Sequence, residues 1–346
     1  MLNKSHILGI FLVAGILLLG CTGGIPGVGG GSGGSGDPLS LIPAKANAYV
    51  EVKLKDVLND PEVKAQMAAS GTNYEQSLAQ IKAMGVDPLS VDKLVIFMDV
   101  NDQSSAGYVG FIAKVKIDEA KFIAAANKQA KEQGGSEFTK TTYGTASIYT
   151  SKGGTGGLVF LPGDIVAVGA TEQVAKDIAD VSSGKAKAMN SATLTAVRGK
   201  LDSSAMIIAV AELPASAKAS LKQQPDAQGG ISFQSFKSLQ AGGLSMSKSG
   251  DTYSYVIAGK LGSEADATQS KKVIDSTITL YGQALEGQQG GEVLTTVLKN
   301  LQTSVSGDTL VLSLKITKQQ IQDLQALMAA SSGAGSGYNS GSTGYN

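Results

Sequence analysis

The sequence predicts an α+β fold: mostly antiparallel sheets with helices packed on one face, in two related halves built from strand-hairpin-helix units. Three observations carry this expectation. Short β-type runs follow one another across turn residues, as in "GLVFLPGDIVAVGA" (157–170), which is broken by Pro162-Gly163-Asp164. Amphipathic helical stretches fall between pairs of strands rather than after every strand, an order that argues against a doubly wound parallel sheet. Patterns also recur: "LTAV" (194–197) with Leu201 is matched by "LTTV" (294–297) with Leu301. Each is expected to lead through a short turn into a strand, "AMIIAVAEL" (205–213) and "DTLVLSLKI" (308–316). "YVGFIAKVKIDEAKFI" (108–123) likewise parallels "YSYVIAGKLGSEADAT" (253–268), strand into capped helix.

The first half is expected over 38–203. It opens with strands "AYVEVKL" (48–54) and "LVIFMDV" (94–100), separated by helices near 60–70 and 74–84, where Leu78, Ile81 and Met84 recur at helical spacing. "AGYVGFIAKVKI" (106–117) is a strand running into a helix that Asp118 caps and whose Phe122, Ile123 and Ala126 form the buried stripe. Strand "TASIYTS" (145–151) and the 157–170 hairpin follow. Thr171 then caps a helix through Ser182, with Val174 and Ile178 on its apolar side and Gly184 as its stop. The second half is expected over 204–330. Alternation in "YVGFIAKVKI" places Val109, Phe111, Ala113, Val115 and Ile117 on one face and Tyr108, Gly110, Ile112, Lys114 and Lys116 on the other. This reads as a core side and a solvent side.

The termini have a different character. Lys4, an apolar run from Ile7 to Leu19, and Gly20 before Cys21 form the n-region and h-region of a signal peptide over 1–20, too short for a transmembrane helix of about 20 residues. Leu18-Leu19-Gly20-Cys21 resembles the lipobox of prokaryotic lipoproteins. The resemblance implies a diacylglyceryl group on the Cys21 thiol and cleavage before it. The glycine-rich stretch that follows makes 21–37 a lipidated cysteine and flexible tether, reaching roughly 20–25 Å. No Gly-Lys-Ser/Thr accompanies these glycines, so they are not read as a phosphate loop. At the other end, 331–346 repeats Gly-Tyr-Asn among Gly and Ser and is expected to be a disordered tail. The expected location is extracytoplasmic, anchored by lipid to the cell membrane, or to the outer membrane in a host that has one.

Composition excludes several classes. The chain has 29 basic and 29 acidic residues, and loss of Lys4 leaves 28 against 29. His6, the only histidine, leaves with the signal peptide; Cys21 is the only cysteine; Trp is absent; and Arg198 is the only arginine. A mature chain without imidazole or free thiol builds no Ser-His-Asp or Cys-His site and no ordinary zinc site. Lacking a basic excess, it is not expected to bind nucleic acid. At 42% hydrophobic it has ample material for a core without disulfides.

"LIPAKANAYVEVKLKDVLNDPEV" (41–63) and "GDIVAVGATEQVAKDIADVSSGKAKAMNSATLTAVRGKL" (163–201) resemble an uncharacterised family of secreted and lipid-anchored prokaryotic proteins. Lys45 stands where that family more usually has an acidic residue. The resemblance implies no activity.

The remaining chemistry is sparse. Ser182 with Lys185 and Ser245 with Lys248 fit Ser-x-x-Lys. The first pair crosses the stop at Gly184, and the second lies in a strand, where a separation of three puts the side chains on opposite faces. Glu51, Asp99 and Asp102 are the carboxylates that a glycosidase-type pair would use, weighed against ordinary solvated strand ends. Asp177 and Asp180 share one helical face suited to calcium but lack a dense Asp/Asn/Gly loop. No catalytic residue, metal ligand or cofactor is assigned, and the one modification site is Cys21. The expected function is a non-enzymatic, membrane-tethered binding or envelope-structural module. Its expected partners are the membrane, through Cys21, and an envelope protein or glycan. The alternatives are a carrier or sensor of an apolar ligand, which needs a second apolar sheet face, and a histidine-free hydrolase using carboxylates.

Overall fold

The computed structural model describes residues 36–333, except 70–73, 103–106, 133, 153–155, 224–226, 229–230, 233 and 286–290. The expected signal peptide, Cys21, nearly all of the expected tether and 334–346 lie outside the described residues. Asp37, where the tether was expected to end, caps a 3₁₀ turn at Pro38–Leu41 by accepting from Leu39 N.

The chain is α+β. Its strands are β1 (Ala48–Val52), β2 (Leu94–Met98), β3 (Val109–Lys114), β4 (Phe138–Tyr143), β5 (Ala146–Ser151), β6 (Gly157–Leu161), β7 (Ile165–Gly169), β8 (Ile207–Glu212), a two-stranded ribbon of β9 (Ala227–Gln228) and β10 (Ile231–Ser232), β11 (Ala241–Ser249), β12 (Thr252–Lys260), β13 (Leu301–Ser306) and β14 (Thr309–Thr317). The helices are α1 (Leu54–Asn59), α2 (Pro61–Ala69), α3 (Tyr74–Ala83), α4 (Glu119–Glu132), α5 (Glu172–Ser182), α6 (Ala192–Arg198), α7 (Ala215–Gln223), α8 (Glu264–Leu285), α9 (Gly291–Lys299) and α10 (Lys318–Gly333). The last helix extends into the segment expected to be a tail. Among the described residues no helix is long and apolar enough to cross a membrane.

Twelve strands form one antiparallel sheet in the order β13-β14-β12-β11-β8-β1-β2-β3-β7-β6-β5-β4. Strands of the first half lie on one side of the β1–β8 pair and strands of the second half on the other. In each half a third strand passes into a helix, β3 into α4 and β12 into α8, the pairing seen in the sequence at 108–123 and 253–268. A closing hairpin then lies against that third strand, β6–β7 on β3 and β13–β14 on β12. The "LTAV"/"LTTV" match does not follow this order. Its first copy, in α6, leads to the central strand β8, whereas its second, in α9, leads to the edge strand β13.

Helices cover both faces of the sheet, so the expected one-sided arrangement is extended. On the face of Tyr49, α5 places Val174, Ala175 and Ile178 over Val95, Ile112 and Ala167. Farther along this face, α6 places Leu194 and Val197 over Val210 and Ala258. On the face of Val50, α1–α3 cluster with Val115, α4 sets Phe122 against Leu158 and Phe160, and α8 sets Ala267 and Ile274 against Leu310 and Leu312. The cause is the central strands, which carry apolar residues at successive positions and therefore bury both sides. Ile112, assigned to a solvent side by alternation, is fully buried, and Tyr108 is nearly so.

Close approach of α5 relies on glycine. Gly110, Gly169 and Gly157 are neighbours across three strands. A Cβ on Gly169 would stand 2.6 Å from Ala175 N, and one on Gly157 would stand 2.7 Å from Ala175 Cβ. The helix is set by Thr171, whose Oγ1 accepts from Val174 N at 3.2 Å, and stopped at Gly184 with φ of 74°.

Candidate functional site

The carboxylates singled out in the sequence do not converge. Glu51 is buried on the Tyr49 face, where Arg198 Nε donates to it at 2.7 Å and Lys93 Nζ lies at 3.6 Å. Asp99 accepts from Asn47 Nδ2 at 2.7 Å and Asn101 N at 3.0 Å, and Asp102 faces Lys45 at 3.7 Å. Glu51 is opposite Val95 and Asp99 follows Met98, so about four residues, roughly 13 Å, separate them along the sheet. That exceeds the carboxyl spacing of either glycosidase mechanism. Glu51 is buried and paired, whereas Asp99 and Asp102 are part-exposed at a strand end and in the turn that follows it.

Asp177 and Asp180 also act within the fold. Asp177 accepts from the Tyr108 hydroxyl at 2.9 Å and Gln173 Nε2 at 2.7 Å, and Asp180 accepts from the Tyr143 hydroxyl at 3.1 Å. Burial, with Asp177 beside it, pushes the Tyr108 hydroxyl pKa well up. Among the described residues no three His, Cys, Asp or Glu side chains gather as a metal site. Ser245 and Lys248 lie on opposite faces of β11, since Ser245 is opposite Ile208 and Met246 opposite Ile207. Ser245 Oγ accepts from Asp202 N at 3.0 Å, whereas Lys248 reaches Asp60 and Glu62. Lys185 lies past the αL glycine, over the Tyr143 ring.

The polar centre that the structure assembles was not foreseen. Asp60 caps α2 by accepting from Glu62 N at 2.9 Å and Val63 N at 3.2 Å, while its other oxygen accepts from Lys248 Nζ at 2.6 Å. Glu62 receives Lys248, Lys318 Nζ at 2.6 Å and the Tyr253 hydroxyl at 3.1 Å. The hydrogen bonds from Lys248 and then Lys318 hold the Glu62 pKa down to about 2, and those carboxylates raise that of Lys248. An open cleft of about 600 Å³ adjoins this cluster, with Asp56, Asn59, Ser204, Ser247 and Asp251 on its walls. Four carboxylates, Asp56, Asp60, Glu62 and Asp251, and two lysines, Lys248 and Lys318, line it, and the hydroxyl of Ser204 donates to Asp202 Oδ1 at 2.6 Å. Lys248 and Tyr253 are about 190 positions from Asp60 and Glu62 in the chain, so no local pattern announces them.

The second feature is apolar. On the Val50 face, one row crosses nine neighbouring strands from Leu312 through Ile257, Leu244, Val50 and Phe111 to Leu158 with an apolar side chain at each. Helices cover its ends, but Ile257 is 48% exposed and Leu244 and Leu312 are half-buried. Helical spacing puts Leu280 of α8, 57% exposed, on the flank opposite Asp275. Asp275 receives a hydrogen bond from Thr303 on the edge strand, so that opposite flank overlooks β12 and Ile257. Phe111 places this row on the face that alternation in β3 already reads as apolar; the second apolar face that the apolar-ligand alternative required is the opposite one, where Ile112 is fully buried beneath α5.

No family model matches the chain, and no curated protein does. Among solved structures it is similar to crystal form IV of TP0453, with a TM-score of 0.48 and 12% identity over 84% of this chain and 97% of that one. It is also similar to crystal form III of TP0453, with a TM-score of 0.45 and 11% identity over 84% and 98%.

Proposed function

We propose that this chain is a non-enzymatic binding or envelope-structural module, held at a membrane on its extracytoplasmic side by a lipid on Cys21. The observation that carries the reading is Leu18-Leu19-Gly20-Cys21, followed by a glycine-rich leash up to Asp37. The non-enzymatic part is supported by the work of the buried carboxylates: Glu51 and Asp60 each bind a cation within the fold, Arg198 and the part-buried Lys248. Its partner is an envelope protein or a glycan, and nucleic acid is not among the candidates. A second reading, a carrier or sensor of an apolar ligand, is favoured by the partly open row through Ile257. The histidine-free hydrolase loses the pair that the sequence offered, since Glu51 and Asp99 stand roughly 13 Å apart along the sheet.

The anchor is tested by growing the host with a labelled fatty acid. Wild-type chain is expected to take up label and sediment with membranes, and Cys21→Ser to do neither; an unlabelled wild-type chain refutes it. Native mass spectrometry of the wild-type chain, extracted from host envelopes, separates the two readings. A mass accounted for by the chain and its anchor supports the structural module, whereas a further discrete adduct that survives desalting replaces it with the ligand carrier.

A further inference from the structure

The sheet ends in two edge strands, β4 and β13, and they differ in how they meet solvent. β4 carries Lys140 at its centre, the ordinary guard of an exposed edge. β13, "LQTSVS", has no charge and no proline, and its register with β14 runs unbroken from Ser306–Thr309 to Leu301–Leu314, without a bulge. Gln302, Ser304 and Ser306 are exposed.

The turn fixes which backbone groups are free. Ser306 and Thr309 close a two-residue turn whose first residue, Gly307, has φ of 60°, the geometry of a II′ hairpin. The closing pair of such a hairpin is hydrogen-bonded, and bonding alternates along the ladder. Ser306, Ser304 and Gln302 therefore bond β14, while Val305, Thr303 and Leu301 direct N–H and C=O away from the sheet. Three consecutive outward pairs of donor and acceptor form a complete docking edge.

We propose that β13 is a homodimerisation edge, pairing antiparallel with β13 of a second copy of this chain about a two-fold axis centred near Thr303. An antiparallel edge complements itself, and the strand carries no charge of its own; Lys200 Nζ reaches Ser306 Oγ at 2.9 Å at its end, and Asp275, which receives Thr303, is neutralised by Lys271. The chain's net charge of zero adds no long-range repulsion. Helix α8 supplies contact beyond the ladder. It lies over β13 and β14, held there by the Thr303 to Asp275 bond and by Ile274 against Val305 and Leu312. With strands about 4.8 Å apart, a helix over the β13–β14 midline stands about 5 Å from the axis. The two copies of α8 then run roughly 10 Å apart, a helix-packing distance. Side by side, ladder and helices make an interface that a six-residue ladder alone would not.

Sedimentation equilibrium of the full chain tests this together with thiol cross-linking. Wild type is expected to reach dimer as concentration rises. Ser304→Lys, a change at an exposed side chain, is expected to remain monomeric with an unchanged Tm. In a Cys21→Ser background, Ser304→Cys is expected to give at least about tenfold more dimer than Thr141→Cys on β4, using a linker spanning the diagonal separation of about 8 Å. A wild type that stays monomeric at every soluble concentration overturns the proposal. So does a Ser304→Lys chain that dimerises like wild type, or equal cross-linking from the two edges.

Discussion

Asp60 and Glu62 do two jobs at once: they begin α2, and they bind lysines from the far half of the chain. Asp60 accepts backbone N–H groups and Lys248, while Glu62 joins Lys248, Lys318 and Tyr253. Folding lowers the Glu62 pKa from 4.5 to about 2, so the folded state favours its ionised form. Stability from this pairing is fully present above about pH 4.5 and is lost as pH falls towards 2. Glu62→Gln is therefore expected to be less stable than wild type at pH 7 and to converge with it near pH 2; urea unfolding over that range measures the gap. A gap that stays constant with pH assigns Glu62 a role in shape rather than charge. At this scale the local devices were legible in the sequence. Asp118 does accept from Lys121 N, and Thr171 does cap its helix. Ion pairs such as Arg198 with Glu51, 147 residues apart, were not legible, because only the tertiary fold brings the two groups together.

Elements with strong apolar periodicity were legible as well. β1, β2, β3, β5, β6 and β7 fall within the expected runs, and so do helices α2 to α5. Several of the missed elements share a polar or very short pattern, although α10, with Ile321, Leu324 and Leu327 at helical spacing, was missed as well. β4, "FTKTTY", and β13, "LQTSVS", are edge strands made largely of threonine, serine and glutamine, and α1 has only six residues. A signal for the hairpins was nevertheless present. Ser-Gly-Asp-Thr occurs at 249–252 and again at 306–309, and in both copies the glycine takes the positive φ of the turn, 58° and 60°. What periodicity cannot show is how near a helix comes to its sheet. α5 sits close enough that a Cβ on Gly169 would meet Ala175 N at 2.6 Å and Thr171 O at 2.7 Å, both backbone atoms that cannot swing aside. Gly169→Ala is expected to cost about 2 kcal/mol through the displacement of α5. Urea unfolding at neutral pH checks this, and a change below about 0.5 kcal/mol would mean that the helix shifts freely.

At the scale of the molecule, the two halves share one sheet, and the β1–β8 ladder joins them through five residue pairs, Ala48–Ala211 to Val52–Ile207. Side-chain bridges reinforce that seam on both faces: Arg198 to Glu51 on one, and Lys248 to Asp60 on the other. A division at 203/204, natural in sequence because a strand pattern begins there, passes between α6 and β8. Yet α6 packs onto the strands that follow it. Leu194 and Val197 are fully buried, in one cluster with Ile208, Val210, Ala241 and Ala258. Their burial contributes roughly 1.5–3 kcal/mol for each side chain, and Ser191, the cap of α6, also donates to Glu212 on β8. Helix α6 thus belongs energetically to the second half. A fragment of 190–330 is therefore expected to fold more stably than one of 204–330, by several kcal/mol in urea unfolding, because the shorter piece leaves Val210, Ala241 and Ala258 uncovered. The complementary fragment 38–203 is expected to bind a hydrophobic dye through stranded Leu194, Val197 and Leu201, and 38–189 to bind less. Equal stability of 190–330 and 204–330 would show that α6 only rests on the sheet, and that the seam is carried by the β1–β8 ladder and its ion pairs.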